Sequence, residues 1–302
     1  MKSMWVDTDF GFDDLWALLL VRHLGCKVAG VSLVAGNAPL AQVAENAVAA
    51  KTAYGFDWPL WQGAVRPLKR DPETAQRILG PTGMRSRGLR LEETTGDLPP
   101  ASAVPAMASW LTTKPSARHE ILALGPLTNI AQLLTTRPDL RDRINRIVWM
   151  GGSTGAGNHT AKAEFNAVAD AESLAIVVAS GVRLDIVDLT FCRTVTFGPD
   201  DLPDTDPLTL DLLGGYLDIA LERGRSDMAI YDPLAALALC APDRIMFQPC
   251  SVLVETGEND AYGATTMTTD ATAQTRVSVR GSGGLSHMCL KSLERGSHGT
   301  RR

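Results

Sequence analysis

The sequence predicts an α/β protein: an open, mostly parallel sheet with helices on both faces (Rossmann-like), plus a few antiparallel strands near the C-terminus. Short apolar runs alternate with helical patterns through most of the chain. The strand segments are near-continuously apolar, as strands covered on both faces require. Towards the C-terminus the texture changes, and "SVLVETG", "ATTMTTD" and "TRVSVR" read as antiparallel strands ahead of a terminal helix.

Taken in order, "SMWV" reads as the first strand and "DDLWALLLVRHL" as the helix after it. "KVAGVSLVAG" is the second strand, and "PLAQVAENAVAAKTAY" a helix with Pro39 in its first turn. "HEILALG" precedes the helical "PLTNIAQLL", and "INRIVWMGG" runs into a glycine-rich loop. The helix "DAESLAIVVASG" follows, with Asp170 as N-cap and Gly181 as C-cap, and "VRLDIVDL" is another buried strand. No linker, repeat or low-complexity tract divides the 302 residues, so residues 1–302 are expected to form one domain.

Composition narrows the function classes. Apolar residues make up 45% and charged ones 21%, the balance of a globular protein with a sizeable core. A net charge of −5 offers no basic footprint for nucleic acid or for an anionic membrane. The five cysteines lack CxxC spacing, which points to reduced thiols and away from a disulfide framework or structural zinc. With no leader-like start and no run long enough to span a membrane, a soluble, cytoplasmic protein is expected.

Sheets of this kind bind ligands outside the carboxyl ends of their strands. Asp7 and Asp9 end the first strand, Gly36 and Asn37 the second, Leu124 and Gly125 a third, and Met150 with Gly151 and Gly152 a fourth. The stretch "VDTDFGFDDLWALLL" crowds Asp7, Asp9, Asp13 and Asp14 at one such end. A helix N-terminus welcomes one or two acidic residues, which accounts for Asp13 and Asp14 at most. A hard cation accounts for all four, and carboxylate, carbonyl and water oxygens suit Ca²⁺ or Mg²⁺ rather than Zn²⁺. The loop "GGSTGAGNHTAKAEFNAVAD" packs Asn158, Glu164 and Asn166 around Phe165. Amides and a carboxylate together line a site for sugar hydroxyls, which both donate and accept, although Asn and Gly are also ordinary loop residues. In "YDPLAALALCAPD", spacing alone reads Asp232 as an N-cap followed by proline at N1.

In combination these segments resemble the inosine–uridine preferring nucleoside hydrolases. "DTDFGFDD" is similar to the family's DTDPGIDD signature, with Phe10 in place of proline. "VAGN", "LGPLTNIA", the spaced "MGG", "GN" and "AEFN", and the late "DPLAALAL" follow in family order across about the whole chain. The resemblance implies one Ca²⁺ held by Asp9, Asp14, Asp232 and the Leu124 carbonyl, below a ribose pocket. It implies that Asp13, Asn37 and Asn166 hold the 2′- and 3′-hydroxyls, that Asn158 and Glu164 hold the 5′-hydroxyl, and that Met150 and Phe165 line the sugar's face. Asp9 is then the general base for the attacking water, Asp7 a supporting residue behind it, and the assembly a homodimer or homotetramer. The expected activity is calcium-dependent hydrolysis of ribonucleosides to base and ribose, as in nucleoside salvage.

One departure is informative. Members acting on inosine and uridine carry a histidine where this chain has Tyr231, and Leu79 lies where a second family histidine would fall. With an ordinary pKa near ~10, tyrosine is a poor acid at neutral pH. A purine-specific branch places an aromatic residue here and activates the base by stacking, so purine ribosides are expected to be favoured. Arg85, Arg87, Arg223 and Arg225 lie in segments that cover the base in the family and are candidates to meet a polar substituent. Two alternatives stand beside the hydrolase: a nucleoside-binding protein whose catalysis has lapsed, and a haloacid dehalogenase-like phosphatase, which shares DxD after its first strand but lacks GNxxxxAEFN.

Overall fold

The computed structural model describes residues 3–93, 97–113 and 119–296. Strands β1 (Ser3–Thr8), β2 (Lys27–Leu33), β3 (Leu60–Gln62), β4 (His119–Ala123), β5 (Ile144–Met150) and β6 (Leu184–Val187) come first along the chain. A separate antiparallel pair, β7 (Thr196–Phe197) and β8 (Met228–Ala229), follows. Then β9 (Ile245–Val254), β10 (Thr265–Thr269) and β11 (Arg276–Gly281) rejoin the main sheet. Its order is β10-β9-β11-β6-β5-β4-β1-β2-β3. Every pairing from β3 across to β11 is parallel, and β9 is antiparallel to both β10 and β11. The mixed character expected at the C-terminus is therefore an extension of one sheet.

The helices are α1 (Phe12–His23), α2 (Leu40–Tyr54), α3 (Gln76–Leu79), α4 (Ala103–Thr112), α5 (Thr128–Thr136) and α6 (Phe165–Ala169). After them come α7 (Ala171–Ala179), α8 (Leu189–Cys192), α9 (Pro207–Leu221), α10 (Asp232–Cys240) and α11 (Leu285–Lys291). Side-chain alternation along the strands divides the core into two layers. Met4, Val6, Leu122, Val148 and Met150 face the layer built from α1, α2, α9 and α10. Trp5, Ile121, Ala123, Ile147 and Trp149 face the layer built from α4, α5 and α7. Asp170 caps α7 as expected, accepting from Ser173 N at 3.1 Å. Helix α7 is capped by Ser180, one residue before the expected Gly181, which follows at φ 77°. Pro39 stands just outside α2 as its cap rather than in its first turn. Among the described residues no helix is long and apolar enough to cross a membrane.

From β1 the chain steps outward to β2 and β3, then returns to place β4 on the other flank of β1. The order thus reverses at β1 and β4. Doubly wound sheets bind ligands outside the carboxyl ends of the strands at such a switch point.

Candidate active site

The acidic signature is built at the end of β1. Thr8 closes the strand, and Asp14 is the third residue of α1. One Asp14 carboxylate oxygen accepts from Gly11 N at 2.7 Å and the other from the Thr8 hydroxyl. Helix capping therefore does explain part of Asp14's position. Between them Phe10 has φ 44°, the one described non-glycine residue in the left-handed region. This backbone costs an L-residue about 1–2 kcal/mol, held here by the buried Phe10 ring and by Phe10 N donating to Thr8 Oγ1 at 3.1 Å.

Asp9 lies just beyond the strand, wedged between the ends of β2 and β4. A Cβ on Gly36 would stand 2.1 Å from Asp9 Oδ2, and one on Gly125 would stand 3.0 Å from Asp9 Cγ. The glycines of "VAGN" and "LGPLTN" are thus explained by close approach to this carboxylate rather than by turn geometry. Asn37 N donates to Asp9 Oδ2 at 2.8 Å, and the Asn37 amide bridges Asp9 Oδ1 at 3.1 Å and Asp14 Oδ2 at 3.2 Å.

Asp232 arrives from the other half of the chain. The sequence reads it as an N-cap, but the cap is Tyr231, Asp232 is the first residue of α10, and no side-chain capping bond forms. Its buried carboxylate is free to point at the others. Asp13, Asp14 and Asp232 each offer an oxygen, and these oxygens all lie within 4.8 Å of one another. Two oxygens on opposite sides of a calcium ion stand about 5 Å apart, given Ca–O distances of about 2.3–2.6 Å. The donor set therefore fits a hard cation. The structure makes Asp13 the third member of this close group, with Asp9 tied in through Asn37. Tyr216 donates its hydroxyl to Asp13 Oδ2 at 3.1 Å.

The glycine-rich loop supplies the opposite wall. Glu164 caps α6, accepting from Asn166 N at 2.8 Å, Gly152 N at 2.9 Å and Ala167 N at 3.1 Å. Asn158 Oδ1 accepts from Phe165 N at 2.9 Å, which folds the loop back on itself. The Asn166 amide donates to the carbonyls of Leu124 at 2.9 Å and Met150 at 3.0 Å, pinning together the ends of β4 and β5. A carbonyl oxygen has two lone pairs, so Leu124 keeps one available. His159 packs edge-on against Phe165, with ring centroids 5.4 Å apart, and pairs with Glu73 at 2.8 Å across the loop.

Electrostatics set this site apart from the rest of the molecule. Asp9, Asp14, Asp232 and Glu164 are buried, and none of the ion pairs among the described residues involves them or Asp13. Burial, then the charge of Asp14, pushes Asp9 well above the usual carboxylate range. Asp14 is raised to about 7 by burial and the Asp13 charge, and Asp13 to about 6 by burial. Burial and then the charges of Asp13, Asp14, Asp9 and Glu164 raise Asp232 strongly. Protons or a cation must offset this crowding.

Glu164 gives the cleanest test of that burial, because burial raises it to about 7 against backbone N–H bonds from Asn166, Gly152, Ala167 and Phe165. A raised carboxyl binds its proton longer in the folded state than in the unfolded one, so stability falls as pH climbs from about 4.5 to about 7. Glu164→Gln should remove that loss. Thermal unfolding in chelator should show the parent losing about 1–3 kcal/mol more than the variant between pH 5 and 7.5. Parallel slopes would contradict it.

Other sequence candidates fall elsewhere. Asp7 faces the far layer, accepting from the Ser32 hydroxyl and, at 2.8 Å, from the Asn129 amide. It touches the site only through its carbonyl, which accepts from Leu124 N at 2.8 Å. Arg85 and Arg87 are engaged with α9. Arg85 pairs with Glu222, and Arg87 grips Asp218 at 2.7 and 2.9 Å. Tyr231 stands at the head of α10, its hydroxyl pushed up to about 12 by burial. Tyr216 was not foreseen, since it sits in an otherwise ordinary amphipathic helix 203 positions from the carboxylate it bonds.

Fold and site together define an α/β enzyme with an oxygen-donor centre, suited to a hard cation, beside an amide-bearing loop. The chain belongs to the inosine-uridine preferring nucleoside hydrolase family, whose model matches residues 4–283. It is 32% identical over 276 residues to the non-specific ribonucleoside hydrolase RihC of Escherichia coli, covering 88% of each chain. An uncharacterized protein of Schizosaccharomyces pombe is 40% identical over 180 residues, 58% of this chain and 53% of that one. The chain thus matches about half the length of the yeast protein. In fold it resembles the purine-preferring ribonucleoside hydrolase of Gardnerella vaginalis, with TM-score 0.88, 21% identity and coverage of 98% of this chain and 99% of that one.

Proposed function

We propose that this nucleoside hydrolase cleaves the N-glycosidic bond of ribonucleosides in a calcium-dependent reaction, with purine ribosides favoured. The observation that carries the proposal is the cluster of largely buried carboxylates, none of them in an ion pair among the described residues, at the switch point of the sheet. Asp9, Asp14, Asp232 and the Leu124 carbonyl would hold the ion, which when bound orients the attacking water and lowers its pKa. Asp9, fixed from both sides by Asn37, accepts the proton from that water. Asp13, Asn37 and Asn166 hold the 2′- and 3′-hydroxyls, and Asn158 with Glu164 holds the 5′-hydroxyl. Met150 and Phe165 line the sugar's face. With the ribose so fixed, C1′ is presented to the water as a positioned target. Cleavage develops positive charge on the ribose ring, and the ring of carboxylates favours that charge. Tyr231 stacks on the departing base and raises its affinity for a solvent proton.

A panel of purine and pyrimidine ribonucleosides, scored for reducing sugar, tests the reading. Dialysis against chelator should abolish release, and calcium should restore it. Calcium at a hundredfold excess over its Kd should also stabilise the folded protein by about 2.7 kcal/mol, seen as a higher melting temperature. Full activity in chelator, or release of phosphate from monoesters without release of ribose, would overturn it.

A further inference from the structure

The carboxylates of the acidic centre are not held alike. Asp9 and Asp14 share the Asn37 amide, and Asp9, Asp14 and Asp232 are buried, whereas Asp13 keeps part of its surface open. Like charges crowded beside a partly open carboxylate drive it out towards water unless a donor holds it. Only one described side chain donates a hydrogen bond to Asp13, and that is Tyr216, whose hydroxyl lies 3.1 Å from Oδ2. A carboxylate accepts at both oxygens, so this bond leaves acceptor sites on Oδ1.

Tyr216 is built as a fixed donor. It is buried, and its ring packs against Phe12, the residue just before Asp13 on α1, with centroids 5.7 Å apart. Its helix, α9, is braced on the opposite face. Asp211, Gly214, Gly215 and Asp218 recur at helical spacing and form one stripe. Residues 86–89 lie along that stripe. Arg87 N and Leu89 N donate to Asp211 Oδ1 at 2.8 and 3.0 Å, and the Arg87 guanidinium grips Asp218. A Cβ on Gly214 would stand 2.7 Å from Arg87 Cζ, and one on Gly215 would stand 2.4 Å from Ser86 Cα, so the helix is notched to admit the segment. A phenol carried on a helix locked from behind presents its hydroxyl to Asp13 in a preset geometry.

We propose that Tyr216 is a positioning residue for sugar recognition: its hydroxyl holds Asp13 so that Asp13 accepts a hydrogen bond from one hydroxyl of the ribose 2′,3′-diol. This role rests on the proposed place of Asp13 against the sugar. The site then selects ribosides over analogues lacking that hydroxyl, because the missing donor leaves the held carboxylate unpaired. Without the Tyr216 hydroxyl, Asp13 turns away from Asp14 and Asp232, and the sugar hydroxyl loses its acceptor. The proposed cation ligands, Asp9, Asp14, Asp232 and the Leu124 carbonyl, are untouched.

Tyr216→Phe keeps the ring on Phe12 and removes only the hydroxyl. Dissociation constants are measured by calorimetry, in calcium, for a carbon-linked purine riboside, which cannot be hydrolysed, and for its 2′-deoxy and 3′-deoxy forms. Tyr216→Phe should weaken the riboside about tenfold, but should weaken the deoxy form that lacks the hydroxyl Asp13 accepts by less than about twofold. In an Asp13→Ala background the same substitution should change riboside binding by less than about twofold, because its effect passes through Asp13. Calcium affinity, read from the melting temperature across a calcium titration, should stay within about twofold of the parent. Equal weakening of all three ligands, no weakening, a further tenfold loss on top of about the Asp13→Ala effect, a marked loss of calcium affinity, or no riboside binding by the parent would each overturn the proposal. The expected binding pattern in a parent that releases no ribose would defeat the hydrolase reading and leave the positioning role standing.

Discussion

Asp9→Ala is expected to lower ribonucleoside hydrolysis by about 10⁴-fold or more, because one substitution removes the proposed general base and one proposed ligand of the cation together. The fold should not suffer. Asp9 is buried among like charges, and its own pKa is driven up by burial and by Asp14. Removing it therefore relieves repulsion in the metal-free protein, whose melting temperature should stay level or rise. Initial rates by reducing-sugar release, paired with thermal unfolding in chelator, read the two halves separately. Asp9→Asn should be nearly as inactive, since an amide cannot take the proton. A near-normal rate in Asp9→Ala would sink the mechanism, and a collapse of the fold would show that the carboxylate is structural.

At Tyr231 the expected outcome is a split between two substitutions. Stacking uses the ring and not the hydroxyl, so Tyr231→Phe should stay within about threefold of the parent. Tyr231→Ala should lose roughly 10–100-fold, the scale of one base–aromatic stack. Larger bases gain more from the ring, so purine ribosides should be turned over faster than uridine. The surroundings favour this outcome. Burial raises the hydroxyl to about 12, further from neutrality than an ordinary tyrosine, although the charges of Arg193 and Arg225 pull the other way. Equal damage in Phe and Ala, or a clear preference for uridine, would make the hydroxyl the leaving-group acid instead.

Much of this architecture is written locally in the chain. Strands β1, β2, β4, β5 and β6 are legible because each is a short, largely apolar run, whereas β3, β7 and β8 are too short to leave a pattern. The acidic signature is legible because nothing in folding asks for four aspartates so close together. What is not legible depends on frame and on distance. Asp232 beside Pro233 looks like a cap, and only the helix boundary at Tyr231 shows that the carboxylate is left over. Asp7 belongs to the same signature as Asp9, yet it sits within β1 on the Trp5 face, towards Ser32 and Asn129, whereas Asp9 lies past the strand end where the chain has turned. Arg85 and Arg87 read as free cations until α9 brings Glu222 and Asp218 against them. Tyr216 reaches Asp13 from 203 positions away, which no local pattern encodes.

The left-handed turn at Phe10 bears on how this branch of the family can change. The signature it resembles has proline there, and a proline ring locks φ near −65°, whereas Phe10 sits at φ 44° with its ring wholly buried. The two residues therefore belong to two different routes of the chain from Thr8 to Gly11, each with its own packing beneath. Placing proline at position 10 alone would not suit this loop. It would impose a backbone that the pocket around the Phe10 ring is not shaped to accept. Exchange between the two signatures therefore calls for compensating changes in the core around the Phe10 ring.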